Sequence, residues 1–263
     1  TAGGVIVVGR RTYDEMIAMG FKNHDRAIAV WSRGLGFGPG GWGWALLQGA
    51  ANTISVALAT LPFGLALGLI IALWKRSDSM LLRSLATVYT TVFRGVPELL
   101  TLYIIYFGIQ VLVQKVWTGF SIPPFVAGMV ALGMVLAAFS SEVWVGALNS
   151  IQKGQREAAA ALGLSKGQAF RLVVFPQLIR VALPGLGNNW MVLLKETSLI
   201  SVITLQDIMF IATRANVVTK EPFLFFGTAM LLYFFFSLVS AWGIGKLEQR
   251  TNRGFAAFGG ATR

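Results

Sequence analysis

The sequence predicts an all-α membrane protein of about five transmembrane helices with a helical loop on the cytoplasmic side. Three observations carry this. Of 263 residues, 55% are hydrophobic and only 13% are charged, about half the charged fraction of an ordinary soluble domain. The charges are also segregated. No Asp, Glu, Lys or Arg occurs between Arg33 and Lys75, between Lys115 and Glu142, or between Glu221 and Lys246, and each gap exceeds the ~20 residues that cross the hydrocarbon as a helix. Finally, the basic residues cluster in the short segments between these gaps, where membrane topology needs them.

The elements follow in order. Residues 1–43 form an N-terminal extension, periplasmic or interfacial, in which Thr12–Trp31 has the pattern of a short amphipathic helix. Its glycine-rich end, Gly34–Gly43, contains Gly36, Gly38 and Gly41 in GxGxxG spacing. No strand precedes these glycines and a span follows, so the dinucleotide reading fails and a flexible lead-in is expected. Residues 44–250 form the transmembrane domain, with spans at Trp44–Trp74, Gly95–Val116, Ile122–Leu148, within Val181–Ile203, and at Pro222–Ile244. Gly64 and Gly68 in the first span allow close helix approach. Residues 251–263 form a cytoplasmic tail.

Orientation follows from the cations. Segments 75–94, 149–180 and 246–263 together hold thirteen Lys and Arg residues, against Lys115, Arg214 and Lys220 in the opposite loops. The positive-inside rule places those segments and the C-terminus in the cytoplasm and the N-terminus in the periplasm, although five cations in the extension count against it. The net charge of +11 is thereby explained without nucleic acid. With no cysteine and one histidine, His24, the chain offers neither a metal site nor a catalytic constellation, and no resident cofactor is expected.

Segment Gly154–Pro176 is too polar to span. Gly163 sits where a left-handed helix cap belongs. Ser165 and Gln168 have capping-box spacing, and Pro176 is placed to end or bend the second helix. The pattern predicts a helix–turn–helix between two spans.

The residues of this segment resemble the signature of ABC importer permeases. Glu157, Ala158 and Ala159 are followed by Gly163, then Val173 and Pro176, at that signature's intervals. Phe93–Pro97, Leu194–Leu199 and Lys220–Phe223 are similar to the polar amino-acid subfamily, the permeases for histidine, arginine, glutamine and opines. Phe139–Gly146 matches only in part, because Trp144 and Val145 precede the glycine. The resemblance spans roughly residues 44–250 and implies the type I importer permease fold. It also implies a second permease subunit (a second copy or a related chain), two ATP-binding subunits that hold ATP and Mg, and a periplasmic substrate-binding protein. No GxxxxGK[ST] occurs, so hydrolysis is expected in the partner. The hairpin 149–176 is the implied coupling loop, with Glu157 either pairing a basic residue or holding the hairpin's own amides. A secondary transporter or channel subunit is the alternative; it does not require the Glu157–Pro176 spacing.

Ionisable groups within spans are functional candidates. Glu142, beside Ser141, is either a receptor for a substrate ammonium or a solvated, structurally paired acid near the cytoplasmic end. Lys195, Glu196, Thr197 and Ser198 form either a polar lining or a packing surface. Arg94 and Glu98 stand at one-turn spacing and suggest a local ion pair.

Overall fold

The protein is described by a computed structural model covering residues 34–38, 40–119 and 121–259. The expectation for Thr12–Trp31 lies outside the described residues. Among them there is no strand. The helices are α1 (Gly43–Lys75), α2 (Met80–Gly95), α3 (Glu98–Val116), α4 (Pro124–Ser150), α5 (Lys153–Ala161), α6 (Lys166–Ile203), α7 (Ile208–Thr219) and α8 (Pro222–Gly259). Five of these, α1, α3, α4, α6 and α8, are long and apolar enough to cross a membrane.

The core is the pairing of α1 with α4, and small residues make it possible. A β-carbon at Gly64 would strike the side chain of Leu136, one at Gly68 would strike Ser140, and one at Gly133 would strike Phe63. The contacts rise together along both helices, from Gly64 against Leu136 to Arg76, which donates to Asn149. The two helices are therefore parallel, and the chain between them must return across the bundle. Trp144 Nε1 donates to the Leu65 carbonyl at 3.1 Å, tying the pair through a backbone oxygen. Around this axis, Leu102 and Ile105 of α3 and Leu193 and Ile200 of α6 pack onto Leu132 and Leu136 of α4.

Three expectations need correction. Segment 75–94 is not a loop; α2 occupies it, burying Ala86 against Ile71 and Ala137. Only Arg83 and Arg94 charge this helix, and Arg83 with Arg94 in the cation count concealed its apolar face. Nor does Pro176 end the hairpin's second helix. That helix continues as α6 to Ile203, so the connection between α4 and α6 is much shorter than 149–180. A π turn at Phe170–Val174 precedes Pro176, which then sits in the first turn of the α segment Phe175–Glu196. The shifted hydrogen-bond register accommodates a residue with no amide hydrogen. Finally, Gly34–Gly43 is not a loose lead-in. Trp42 N donates to Gly34 O at 3.0 Å and Gly43 N to Gly36 O at 3.1 Å, and Gly41 packs so closely on Gly36 that no side chain fits.

The helix–turn–helix forms as its residues predict. Gly163 has φ +78°, its amide donates to Ala160 O at 2.9 Å, and that of Leu164 donates to Ala159 O at 3.1 Å. This is a Schellman cap. Ser165 Oγ accepts from Gln168 N while Gln168 Oε1 accepts from Ser165 N, closing the capping box.

Candidate transport site

Two acidic centres lie between the helices, and they are built differently. Glu142, on α4, receives Lys75 Nζ at 2.6 Å and Arg94 Nη1 at 3.0 Å, both on Oε1. Lys75 comes from the last turn of α1 and Arg94 from the last turn of α2, so one carboxylate ties three helices together. The Arg94 guanidinium also covers the Phe139 ring, 5.7 Å from its centroid. Glu142 thus has cationic partners of its own. Arg94 pairs with Glu142 rather than with Glu98, because α2 ends at Gly95 and the Val96–Pro97 break removes the helical spacing between them. The sequence gives no sign of Lys75 as a partner, 67 residues away.

The second centre joins α3 to α6. Glu98 opens α3 and Glu196 closes the α segment of α6, after which Thr197–Ile203 continues as a 3₁₀ turn. The two carboxylates lie close enough to act on each other electrostatically, with Lys195 close enough to act on Glu196. Among the described residues neither makes an ion pair, and the salt bridges found there, from Lys75 and Arg94, both end on Glu142. Both acids are half-buried and Lys195 is exposed. Like charges held together favour either a shared proton or a cation between them.

The other expected residues divide sharply. Ser141 and Thr197 are 0% and 1% exposed, and their hydroxyls donate to Ala138 O and Leu194 O. They are spent on their own helices and unavailable to a solute. Ser198 Oγ likewise donates to Lys195 O at 2.7 Å. Of the six residues expected to line a substrate route, Glu196 and Lys195 keep polar groups free for one, and Glu98 joins them.

A third acid sits on the connection after α6. Asp207 caps α7, accepting from Phe210 N at 2.8 Å. It is 1% exposed, and burial pushes its carboxyl up to about 6, against the downward pull of backbone amides and the nearby Tyr233 hydroxyl. That hydroxyl lies outside bonding geometry, which leaves Oδ2 without a partner. The loop carrying Asp207 is fixed to α1, since Asn52 Nδ2 donates to Gln206 O at 2.8 Å and Ile208 N to Thr53 Oγ1 at 3.3 Å.

Residues 64–253 match the family of binding-protein-dependent transport system inner membrane components. The chain belongs to that family. It is 39% identical over 226 residues to the octopine transport system permease protein of Rhizobium meliloti, covering 84% of this chain and 95% of that one. It is 37% identical over 219 residues to the histidine/lysine/arginine/ornithine transport system permease protein of Escherichia coli, covering 81% and 96%. The crystal structure of an amino acid ABC transporter with histidines superposes with a TM-score of 0.69 at 32% identity, covering 80% of this chain and 95% of that chain. The methionine ABC transporter in an inward-facing form shares the fold, with a TM-score of 0.66 at 19% identity. This chain is therefore a multi-pass inner-membrane permease subunit of an ABC importer with the type I fold. Nothing favours the secondary transporter. Membership implies an ATPase and a binding protein as partners.

Proposed function

We propose that this subunit passes a polar amino acid or related compound bearing a cationic side-chain group in addition to its α-nitrogen, and that Glu98 and Glu196 receive that side-chain group between α3 and α6. The observation that carries this is the contrast in cations. Glu142 holds two of its own, whereas the facing pair Glu98 and Glu196 holds none in contact. An ammonium or guanidinium passing between them relieves their mutual repulsion, and its departure restores it, so the site binds transiently, as a carrier must. The substrates named for the octopine and histidine/lysine/arginine/ornithine permeases carry such groups. Glu142 serves as the clamp that fixes α1, α2 and α4.

The remaining assignments rest on the same reading. The parallel ends of α1 and α4, with Lys75, Arg76 and Lys153 beside them, face the cytoplasm, which puts the chain's N-terminus in the periplasm and its C-terminus inside. Residues 1–43 are a periplasmic or interfacial extension, 44–250 the permease domain and 251–263 the tail. The subunit is not itself catalytic; it pairs with a second permease chain and two ATP-binding subunits that hold ATP and Mg. The coupling hairpin presents the exposed Glu157 and Ala158 to that ATPase, while Ala159, 2% exposed, packs inward and holds the hairpin together, with Gly163 setting its turn and Pro176 seated at its root.

The test is uptake and ATPase activity of the assembled transporter in vesicles, across a panel of cationic, amide and aliphatic amino acids. Cationic substrates should be carried well and aliphatic ones poorly; equal rates across the panel would overturn the assignment. Gly163→Leu should lose uptake while ATPase activity ceases to respond to substrate, because a φ of +78° penalises a β-carbon by about 1 kcal/mol. Normal transport by that variant would remove the hairpin from the coupling role.

A further inference from the structure

At the end of the bundle where α1 and α4 finish, two adjoining cavities of about 580 and 420 Å³ open between these helix ends and the hairpin α5–α6, sharing Arg76, Leu148 and Glu157. The larger is a mostly apolar slot, walled by Leu73 and Leu148 on one side and Phe170 and Val174 on the other. Its rim is basic. Arg76 and Lys166 edge the larger cavity and Lys153 the smaller, against the single carboxylate of Glu157. Lys153 and Lys166 are exposed, and none of the three cations makes an ion pair with a described residue, Arg76 giving only one hydrogen bond, to Asn149. Trp74, 40% exposed on the last turn of α1, marks the level where amphipathic rings meet the headgroups. We propose that this cleft is a binding site for an anionic phospholipid of the surrounding leaflet. Its phosphate lies among Arg76, Lys153 and Lys166, and one acyl chain follows the Leu73–Val174 slot back toward the bilayer.

Charge complementarity selects the occupant. A net excess of two cations at the rim favours a monoanionic or dianionic headgroup over a zwitterionic one, by about 1 kcal/mol for each cation near the surface. The apolar slot adds what a soluble anion lacks, because a free phosphate leaves those walls facing water while a lipid tail covers them. The position also gives the site a consequence. The lipid bridges the end of α1 to the hairpin, so it stiffens the lever that the ATPase moves.

The test is native mass spectrometry of the assembled, detergent-purified transporter titrated with phosphatidylglycerol or phosphatidylcholine of matched chains. Phosphatidylglycerol should be retained at about one molecule per copy of this chain in preference to phosphatidylcholine. Arg76→Gln with Lys166→Gln should weaken it by about fivefold for each cation removed. Arg76→Lys with Lys166→Arg should restore retention and show that the loss is one of charge, not folding. Glycerol 3-phosphate at equal concentration should fail to displace the lipid. The proposal falls if both lipids bind alike, if the double glutamine variant retains phosphatidylglycerol undiminished, or if the partner subunits cover the cleft so that no lipid is retained. Displacement by glycerol 3-phosphate would make it a free-anion site instead and would equally overturn it.

Discussion

Glu142 and Glu196 look alike in the sequence, each a carboxylate in a long apolar stretch beside hydroxyl residues. The fold separates them. Glu142 meets Lys75 and Arg94, which arrive from the ends of two other helices. Glu196 meets Glu98, another acid. On the function proposed above, an acid supplied with cations by the chain is part of the frame, whereas an acid supplied with a second acid is poised for a guest. The lesson is that isolation along the sequence says little about isolation in space, since the decisive neighbours of Glu142 lie 48 and 67 residues away.

The largest effect should come from breaking the acidic pair. Glu196→Gln and Glu98→Gln should each reduce uptake of a cationic amino acid by about five- to a hundredfold, from an ion-pair contribution on the order of 1–3 kcal/mol. Their melting temperatures should stay at or above the wild-type value, because one of two opposed charges is gone. Wild-type uptake by both variants would return the pair to a packing role and dissolve the contrast with Glu142.

The reciprocal measurement is on Glu142. Glu142→Gln should lower stability by about 1 kcal/mol, a modest figure because the side chain is 39% exposed and solvent screens the pair. Uptake per folded transporter should change little. In a double-mutant cycle with Lys75→Met, the second substitution should cost less in the Gln background than in the wild type. If instead Glu142→Gln folds normally and abolishes uptake, the roles of the two acids are reversed.

The fold was legible where one stretch of chain decides it. The charge-free gaps locate the spans, and the Gly163 cap and Ser165–Gln168 box are local devices that the sequence spells out. Helix α2 was not legible, because two arginines in sixteen residues give it the look of a loop. The continuation through Pro176 was not either, since a π turn is a register change with no residue signature of its own. The site was half legible. Glu196 stands out as an ionisable group within a span, but Glu98 reads as a partner for Arg94 unless one knows that Gly95–Pro97 breaks the helix between them. Family resemblance identifies the transporter, yet it does not say which acid has its own cations.

Asp207 sharpens the comparison from a third direction, as a buried acid stabilised by backbone amides rather than by side-chain cations or a guest. One oxygen caps α7 and the other has no partner, and burial raises the carboxyl to about 6 from an ordinary value of about 3.9. The folded protein therefore binds this proton more tightly than the unfolded chain does. Its contribution to stability is full below about pH 4, declines as pH rises through about 6, and is constant above that. Between pH 5 and 7.5 the loss amounts to about 1 kcal/mol. Asp207→Asn keeps a capping oxygen but cannot titrate, so its stability should fall less than the wild type's over the same interval. Thermal unfolding of the assembled transporter at both pH values, compared between the two proteins, isolates this one group from all others that titrate. Parallel pH profiles would mean that Asp207 is already as ionised in the fold as in the unfolded chain, and that its unpartnered oxygen is satisfied after all.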